Sequence, residues 1–217
     1  MMILDPAEIS FPDPKHYHPD SGIIAVGGDL SPERLYFAYQ LGLFPWYNPG
    51  EEILWWCPDP RFVLFPQKIK ISKSMKKVLR DGIFTFTENT CFRKVMEACR
   101  DAKRKDQPDT WISSPLIEAF VALHENGLAS SLEVWQNNIL VGGFYGVHVG
   151  KIFCGESMFS AVSNASKAGF IHFVEKYQDA FNLIDCQIHS DHLESLGAEM
   201  IPKKEYLSML KITNEPG

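Results

Sequence analysis

From residue 90 onward the apolar positions change period, and each change marks an element. Phe92, Val95, Met96 and Cys99 fall at i, i+3, i+4 and i+7, the stripe of an amphipathic helix that starts near Thr90. A second helix opens at Ser114-Pro115, carries Leu116, Ala119, Phe120 and Leu123 on one face and stops at Gly127. Strands follow over 130–135, 139–147 and 151–158, with Asn137-Asn138 and His148 to Gly150 as the turns between them. Connections this short join antiparallel neighbours, so the three make a meander. A helix over 164–177 and a strand over 183–188 complete the sheet, and a short helix at 205–210 closes the chain.

Before residue 65 the pattern breaks up. Pro, Gly and aromatic residues are dense, and one helix is clear: Ser31 caps it, Pro32 is its first residue, Leu35, Ala38 and Tyr39 form its apolar face, and Gly42 ends it. This predicts a small irregular N-terminal domain over 1–65 and a larger domain over 66–217, which begins with a short basic helix at 74–80. Helices, a meander, a helix and a further strand is the element order of the acyl-CoA N-acyltransferase fold shared by the GCN5-related N-acetyltransferases. By that resemblance the fold class is α+β, with a mostly antiparallel sheet. Acetyl-CoA users of the fold carry a glycine-rich loop whose backbone N–H groups cradle the pyrophosphate. Here that place, Phe159 to Lys167, holds no glycine. CoA is therefore a poor candidate donor, and no cofactor is expected.

Two embedded acids point to chemistry. Glu156 stands among Phe153, Met158 and Phe159, and Asp185 lies within the apolar run Leu183-Ile-Asp-Cys-Gln-Ile188. Buried carboxylates are costly unless paired or hydrogen-bonded, so the fold or a ligand must supply a cation. Strict alternation puts Asp185 and Gln187 on one face and Cys186 on the other. The same rule separates Phe153 from Glu156, so both can line one site only through an irregularity, for which Gly155 is a natural position.

Composition narrows the classes. The 217 residues, 45% hydrophobic and 22% charged, suffice for a full core. No run of about 18 apolar residues is present to span a bilayer. The first residues lack the pattern of a secretory signal, so a cytoplasmic protein without a membrane partner is expected. Five cysteines, odd in number and without a CxxC pair, read as reduced thiols. His189 and His192 have HxxH spacing with no acid or Cys cluster to complete a tetrahedral set, so no metal is expected. Gly155-Glu-Ser-Met-Phe159 lacks the second glycine of a nucleophile elbow, and Cys154 and Cys186 sit in apolar runs that keep thiols inert.

Charge is uneven. Residues 66–105 hold twelve Lys and Arg against four acids, a net of +8, which leaves −14 for the rest of a chain whose total is −6. Such a stretch is either a solvated face or the footprint of a polyanion, nucleic acid being the usual one.

The motifs, in order, are Ala25-Val-Gly-Gly-Asp-Leu-Ser-Pro32, Gly42-Leu-Phe-Pro-Trp46, Leu54-Trp-Trp-Cys-Pro-Asp-Pro-Arg61, Thr110-Trp-Ile112, Leu132-Glu-Val-Trp135, Leu140-Val-Gly-Gly-Phe-Tyr-Gly146, Phe153 to Ser160, Ala165-Ser-Lys167 and Leu183-Ile-Asp-Cys-Gln187. Through them the chain resembles the bacterial leucyl/phenylalanyl-tRNA–protein transferases, from Phe11 to Leu210. Cys57 stands where that family often has Ser, and Phe144, which touches the donor pocket the resemblance implies, stands where Met is common.

The resemblance implies an aminoacyltransferase that moves Leu, Phe or Met from Leu-tRNA, Phe-tRNA or Met-tRNA to the N-terminal Arg or Lys of a protein, marking it for degradation. It implies that Gln187 orients the incoming amine, that Asp185 receives or stabilises its proton, and that Glu156 faces the acceptor's cationic side chain. Trp46, Phe144, Phe153, Met158, Phe173 and Ile184 would form the donor pocket, at least two of them as second-layer packing. Trp111 is either a platform for the terminal adenine or an ordinary core Trp. Lys73, Lys76, Lys77, Arg100, Lys103 and Arg104 are the candidate tRNA contacts. Two other readings stay open: transfer from tRNA to a cell-wall or small-molecule amine, and a non-catalytic RNA-binding protein.

Overall fold

The computed structural model describes residues 2–17, 21–102 and 110–214, with side chains to residue 211. Two sheets organise it. The smaller contains β1 (Met2–Leu4), β2 (Ile23–Gly27), β3 (Phe44–Pro45) and β4 (Leu54–Trp56), ordered β1-β2-β4-β3, with helix α1 (Pro32–Gln40) between β2 and β3. Ser31 caps α1 as expected, its hydroxyl accepting from the Arg34 N–H, and Gly42 follows the helix at φ +82°. The N-terminal part is therefore not irregular: its strands are two to five residues long, too short to show a period.

The larger sheet has seven strands: β5 (Arg61–Leu64), β6 (Thr85–Glu88), β7 (Ala129–Gln136), β8 (Ile139–Val149), β9 (Ile152–Ser160), β10 (Leu183–Gln187) and β11 (Glu199–Ile201). Their order is β11-β5-β10-β9-β8-β7-β6, antiparallel throughout except for the parallel pair β9–β10. The meander β7–β8–β9 stands where the period predicts it. Asn137 and Asn138 turn its first corner, both with positive φ, as a two-residue hairpin turn requires. β5 belongs to this sheet although it precedes residue 65. It is also the strand that brings Arg61 beside β10.

Helices α2 (Lys73–Arg80) and α5 (Ala165–Tyr177) pack together, while α3 (Phe92–Asp101) packs on α4 (Ser114–Glu125). Neighbouring glycines show that the two pairs cover opposite faces. A Cβ on Gly142 would stand 2.9 Å from Ala165 of α5, whereas one on Gly143 would meet Val95 of α3 at 3.5 Å. A short helix, α6 (Asp191–Glu194), follows β10, and α7 (Lys203–Asn214) closes the described chain. The core crosses between the two parts: Leu35, Tyr39 and Trp55 of the smaller lie in one cluster with Phe120 and Tyr145 of the larger.

Candidate active site

Two strand irregularities build the site. Along β8 and β9 the pairing runs through Gly146–Gly155 and then jumps to Tyr145–Ser157, leaving Glu156 as an extra residue beside Gly155. Gly146 is needed there, since a Cβ would drive into the Cys154 carbonyl and the Phe153 ring. Along β10, Asp185 pairs with Val63 and Gln187 with Phe62, so Cys186 is the extra residue and Gln187 takes a left-handed φ of +64°. The parallel pairing of β9 with β10 ends at Cys154–Asp185. Beyond it the strands part, and the Gln187 Nε2 donates to Glu156 Oε1 across the gap at 2.6 Å. The bulges put Phe153 and Glu156 on one cavity and break the strict alternation expected along β10.

Three acids are embedded in this sheet, and they differ in how they are satisfied. Glu133 accepts hydroxyl hydrogen bonds from Thr87, Thr90 and Ser131 at 2.6 to 2.7 Å, as a structural carboxylate should. Asp185 is fully buried, and four donors fill its lone pairs. Oδ1 accepts from Arg61 Nε at 2.8 Å and from the Gln187 N–H at 2.9 Å; Oδ2 accepts from Arg61 Nη2 at 2.6 Å and the Tyr206 hydroxyl at 2.9 Å. Taking up a proton at Asp185 would cost a hydrogen bond and leave the buried Arg61 guanidinium without its counter-charge. The expectation that Asp185 handles the amine proton thus meets an occupied carboxylate.

Glu156 differs from both. Its Oε2 is buried with no hydrogen-bond partner among the described residues, although other atoms of the residue reach solvent. Burial pushes its pKa up to about 8; the Tyr39 hydroxyl pulls it back, Asp185 adds repulsion, and Gln187 and Arg61 favour the charge. The Tyr39 hydroxyl is close enough to act on the carboxylate without forming a well-aligned hydrogen bond. A carboxylate with one oxygen held and the other buried without a hydrogen bond among the described residues lacks the cation that would offset its charge.

The cavity beside it, about 410 Å³, is walled by Trp46, Trp111, Phe144, Phe153, Met158 and Ile184 together with Glu156, Asp185 and Gln187. Phe173 is not on the wall. It packs behind, with ring centroids 5.2 Å from Phe144 and 4.7 Å from Phe153. Trp111 is 9% exposed, both a wall residue and part of the core. Sequence reasoning missed Phe44, Phe170, Ser166 and His192 on the wall and Tyr39, Arg61 and Tyr206 around the acids. For Arg61 a signal existed, since a buried Asp185 demands a cation; nothing in the sequence says which.

The ring of His192 turns inward, its buried Nε2 without a hydrogen-bond partner among the described residues, so the HxxH pair does not converge; His189 instead gathers with Asp191 and Glu194, two exposed acids the sequence reading did not count, their ligand atoms within 4.8 Å of one another. Burial pushes the Cys154 and Cys186 thiols up, as inert thiols require. Lys73, Lys76 and Lys77 are exposed on α2 and make no ion pair among the described residues. Arg100 pairs with Asp101 at 2.8 Å at the end of α3, and Lys103 and Arg104 lie outside the described residues. Because α2 and α3 cover opposite faces, the basic stretch of the sequence is not one continuous stripe in space.

The profile of the family described as leucyl/phenylalanyl-tRNA protein transferase matches residues 63–211, and that of its N-terminal domain matches residues 28–59. Among curated proteins, the leucyl/phenylalanyl-tRNA–protein transferase of Flavobacterium johnsoniae is 52% identical over 88% of this chain and 91% of its own length. That of Cellvibrio japonicus is 51% identical over 98% and 92%. Among solved structures, a GCN5-related N-acetyltransferase-like protein from Streptococcus suis overlaps 66% of this chain and 58% of its own with a TM-score of 0.39 and 14% identity, too loose to carry an inference.

Proposed function

The chain belongs to the leucyl/phenylalanyl-tRNA–protein transferase family, and from that premise we propose how its cavity transfers an amino acid from tRNA to a protein N-terminus. The observation that carries the reading is Glu156: a carboxylate with one oxygen fixed by Gln187 and the other buried without a hydrogen-bond partner among the described residues, in the wall of an aromatic cavity. Donor and acceptor chemistry then divide. The Leu, Phe or Met side chain of the aminoacyl-tRNA enters the wall formed by Phe144, Phe153, Met158 and Ile184, with Phe173 stiffening it from behind. Trp46 and Trp111 border the same cavity from segments outside the large sheet, and we assign Trp111 to the terminal adenine, a stacking contact worth roughly 1 to 3 kcal/mol. The guanidinium or ammonium of an N-terminal Arg or Lys meets Glu156.

The reaction itself asks little of the protein. An aminoacyl ester is already activated, and an α-amino group with a pKa of about 7.7 to 8.0 is partly neutral at pH 7. That nitrogen attacks the ester carbonyl, the C–N bond forms, the C–O bond to the terminal ribose breaks, and the proton lost by nitrogen ends on the ribose oxygen. No net proton is retained, so no strong base is required. Positioning supplies much of the rate, and Gln187, held at the bulge, is the side chain we assign to it. Lys73, Lys76 and Lys77 are assigned to the tRNA phosphates, because α2 packs on α5, whose Ser166 and Phe170 line the cavity.

The alternative of a cell-wall or small-molecule amine acceptor lacks the support that Glu156 gives a cationic one. Incubating labelled Leu-tRNA with a protein bearing N-terminal Arg tests the reading. Label is expected in the protein with Arg or Lys at its terminus and not with Ala; label only in small amines, or none, overturns it.

A further inference from the structure

We propose that Arg61 and Tyr206 are positioning residues that act through Asp185 on Gln187, with Asp185 serving as an ionised anchor of the bulge. The proposal rests on the assignment of Gln187 above and extends it to two residues that do not border the cavity. Arg61 is 1% exposed on β5, and its guanidinium lies between the rings of Phe44 and Tyr206, with centroids 4.8 and 4.5 Å away. Two of its nitrogens are spent on Asp185, while Nη1 is buried with no hydrogen-bond partner among the described residues. An ion pair buried at that cost is poor material for stability alone, since apolar residues of similar volume often serve a core as well or better.

What the pair secures is local. Oδ1 of Asp185 bridges Arg61 and the N–H of Gln187, the one residue of β10 in the left-handed region. That conformation is unfavourable for a side chain of this kind and must be held by its surroundings. Tyr206, from α7, fixes the other carboxylate oxygen. The carboxylate therefore cannot rotate, the bulge keeps its shape, and the Gln187 amide stays 2.6 Å from Glu156. Arg61 also cancels the Asp185 charge, so that Glu156 is the acid a cationic acceptor meets.

Tyr206→Phe tests this with one oxygen removed and the ring over Arg61 retained. With aminoacyl-adenosine as donor and an N-terminal Arg peptide as acceptor, kcat should fall roughly 2- to 10-fold, the loss of one hydrogen bond, with both KM values within about twofold of the parent. In a Gln187→Ala background the same substitution should have no further effect on kcat, because the residue through which it acts is gone. Unchanged kcat, a change confined to KM, or independent losses that multiply in the double variant would overturn the proposal.

A second variant separates the anchor from a proton acceptor. Arg61→Gln combined with Asp185→Asn removes both charges and leaves an amide oxygen able to accept from the Gln187 N–H. It should keep more turnover than Gln187→Ala, with the parent's pH profile; activity at the Gln187→Ala level in a folded protein would contradict the anchor role. If it does not fold, the Tyr206 cycle decides. A parent inactive on aminoacyl-tRNA would instead overturn the functional reading itself.

Discussion

Burial pushes the Glu156 pKa up to about 8, so a cation arriving beside it would favour the ionised form. The groups facing it come from three elements, Tyr39 of α1, Arg61 of β5, and Asp185 and Gln187 of β10, against its own place on β9. A folded-state pKa raised above the ordinary 4.5 means that the folded protein holds the proton more tightly than the unfolded chain. The stability from Glu156 is then full below 4.5 and is lost as pH rises through about 8. Without acceptor, Tm should fall more steeply between pH 5 and about 8.5 in the parent than in Glu156→Gln; parallel curves would show that the carboxylate is not held protonated. At this scale the sequence was readable for Glu156, Asp185 and Gln187, because polar residues inside apolar runs stand out. Arg61 was not, since it sits in a Pro-rich loop sequence 124 positions from its partner. Tyr206 was hidden for another reason: on an amphipathic helix it reads as simple core.

The proposed donor selectivity belongs to the scale of the elements. Phe144 touches Phe153 and Phe170 edge-on, at 6.1 and 5.8 Å between centroids, with Phe173 behind, so the pocket is walled by rings that brace one another. Such a wall should accept side chains that are unbranched at Cβ and exclude Val and Ile. A methylene out of place alters binding by only about 1 to 3 kcal/mol, so Leu-tRNA should be preferred over Ile-tRNA by roughly 10- to 200-fold in kcat/KM. Equal use of the two would contradict the assignment. The β8–β9 bulge makes a further prediction. Gly146→Ala should impair folding or turnover even though the residue does not border the cavity, because the added carbon displaces Cys154 and Phe153 and with them the bulge that presents Glu156. A soluble variant with parental kcat would show the bulge to be incidental. The long helices and the meander were legible from period and caps. The small sheet, β6 and β11 were not, because strands of two to five residues show too few alternations to count. The bulge beside Gly155 was foreseeable only as a need, from two residues that one pleat could not serve together.

Across the whole molecule, folding divides the basic stretch that looks continuous in sequence. Lys73, Lys76 and Lys77 ride on α2 beside α5, whereas Arg100 ends α3 on the opposite face and is already paired with Asp101. Reversing the three α2 charges should therefore weaken use of full-length Phe-tRNA and flatten its salt dependence, while reversing Arg100 should do so much less. An aminoacyl-adenosine donor, which has no tRNA body, should be used nearly as well by both variants as by the parent. Equal losses with both donors would point to a damaged site, and no loss with either would leave the α2 charges as a solvated face. No helix among the described residues is long and apolar enough to cross a membrane. The proposed function converges on one carboxylate, Glu156, as the reader of the acceptor. The most direct test is the ratio of kcat/KM for N-terminal Arg over N-terminal Ala peptides, in the parent and in Glu156→Gln. The parent should prefer Arg strongly, and the variant should lose roughly 2 to 5 kcal/mol of that preference, mostly as a higher KM for Arg; an unchanged ratio would contradict the central role given to Glu156.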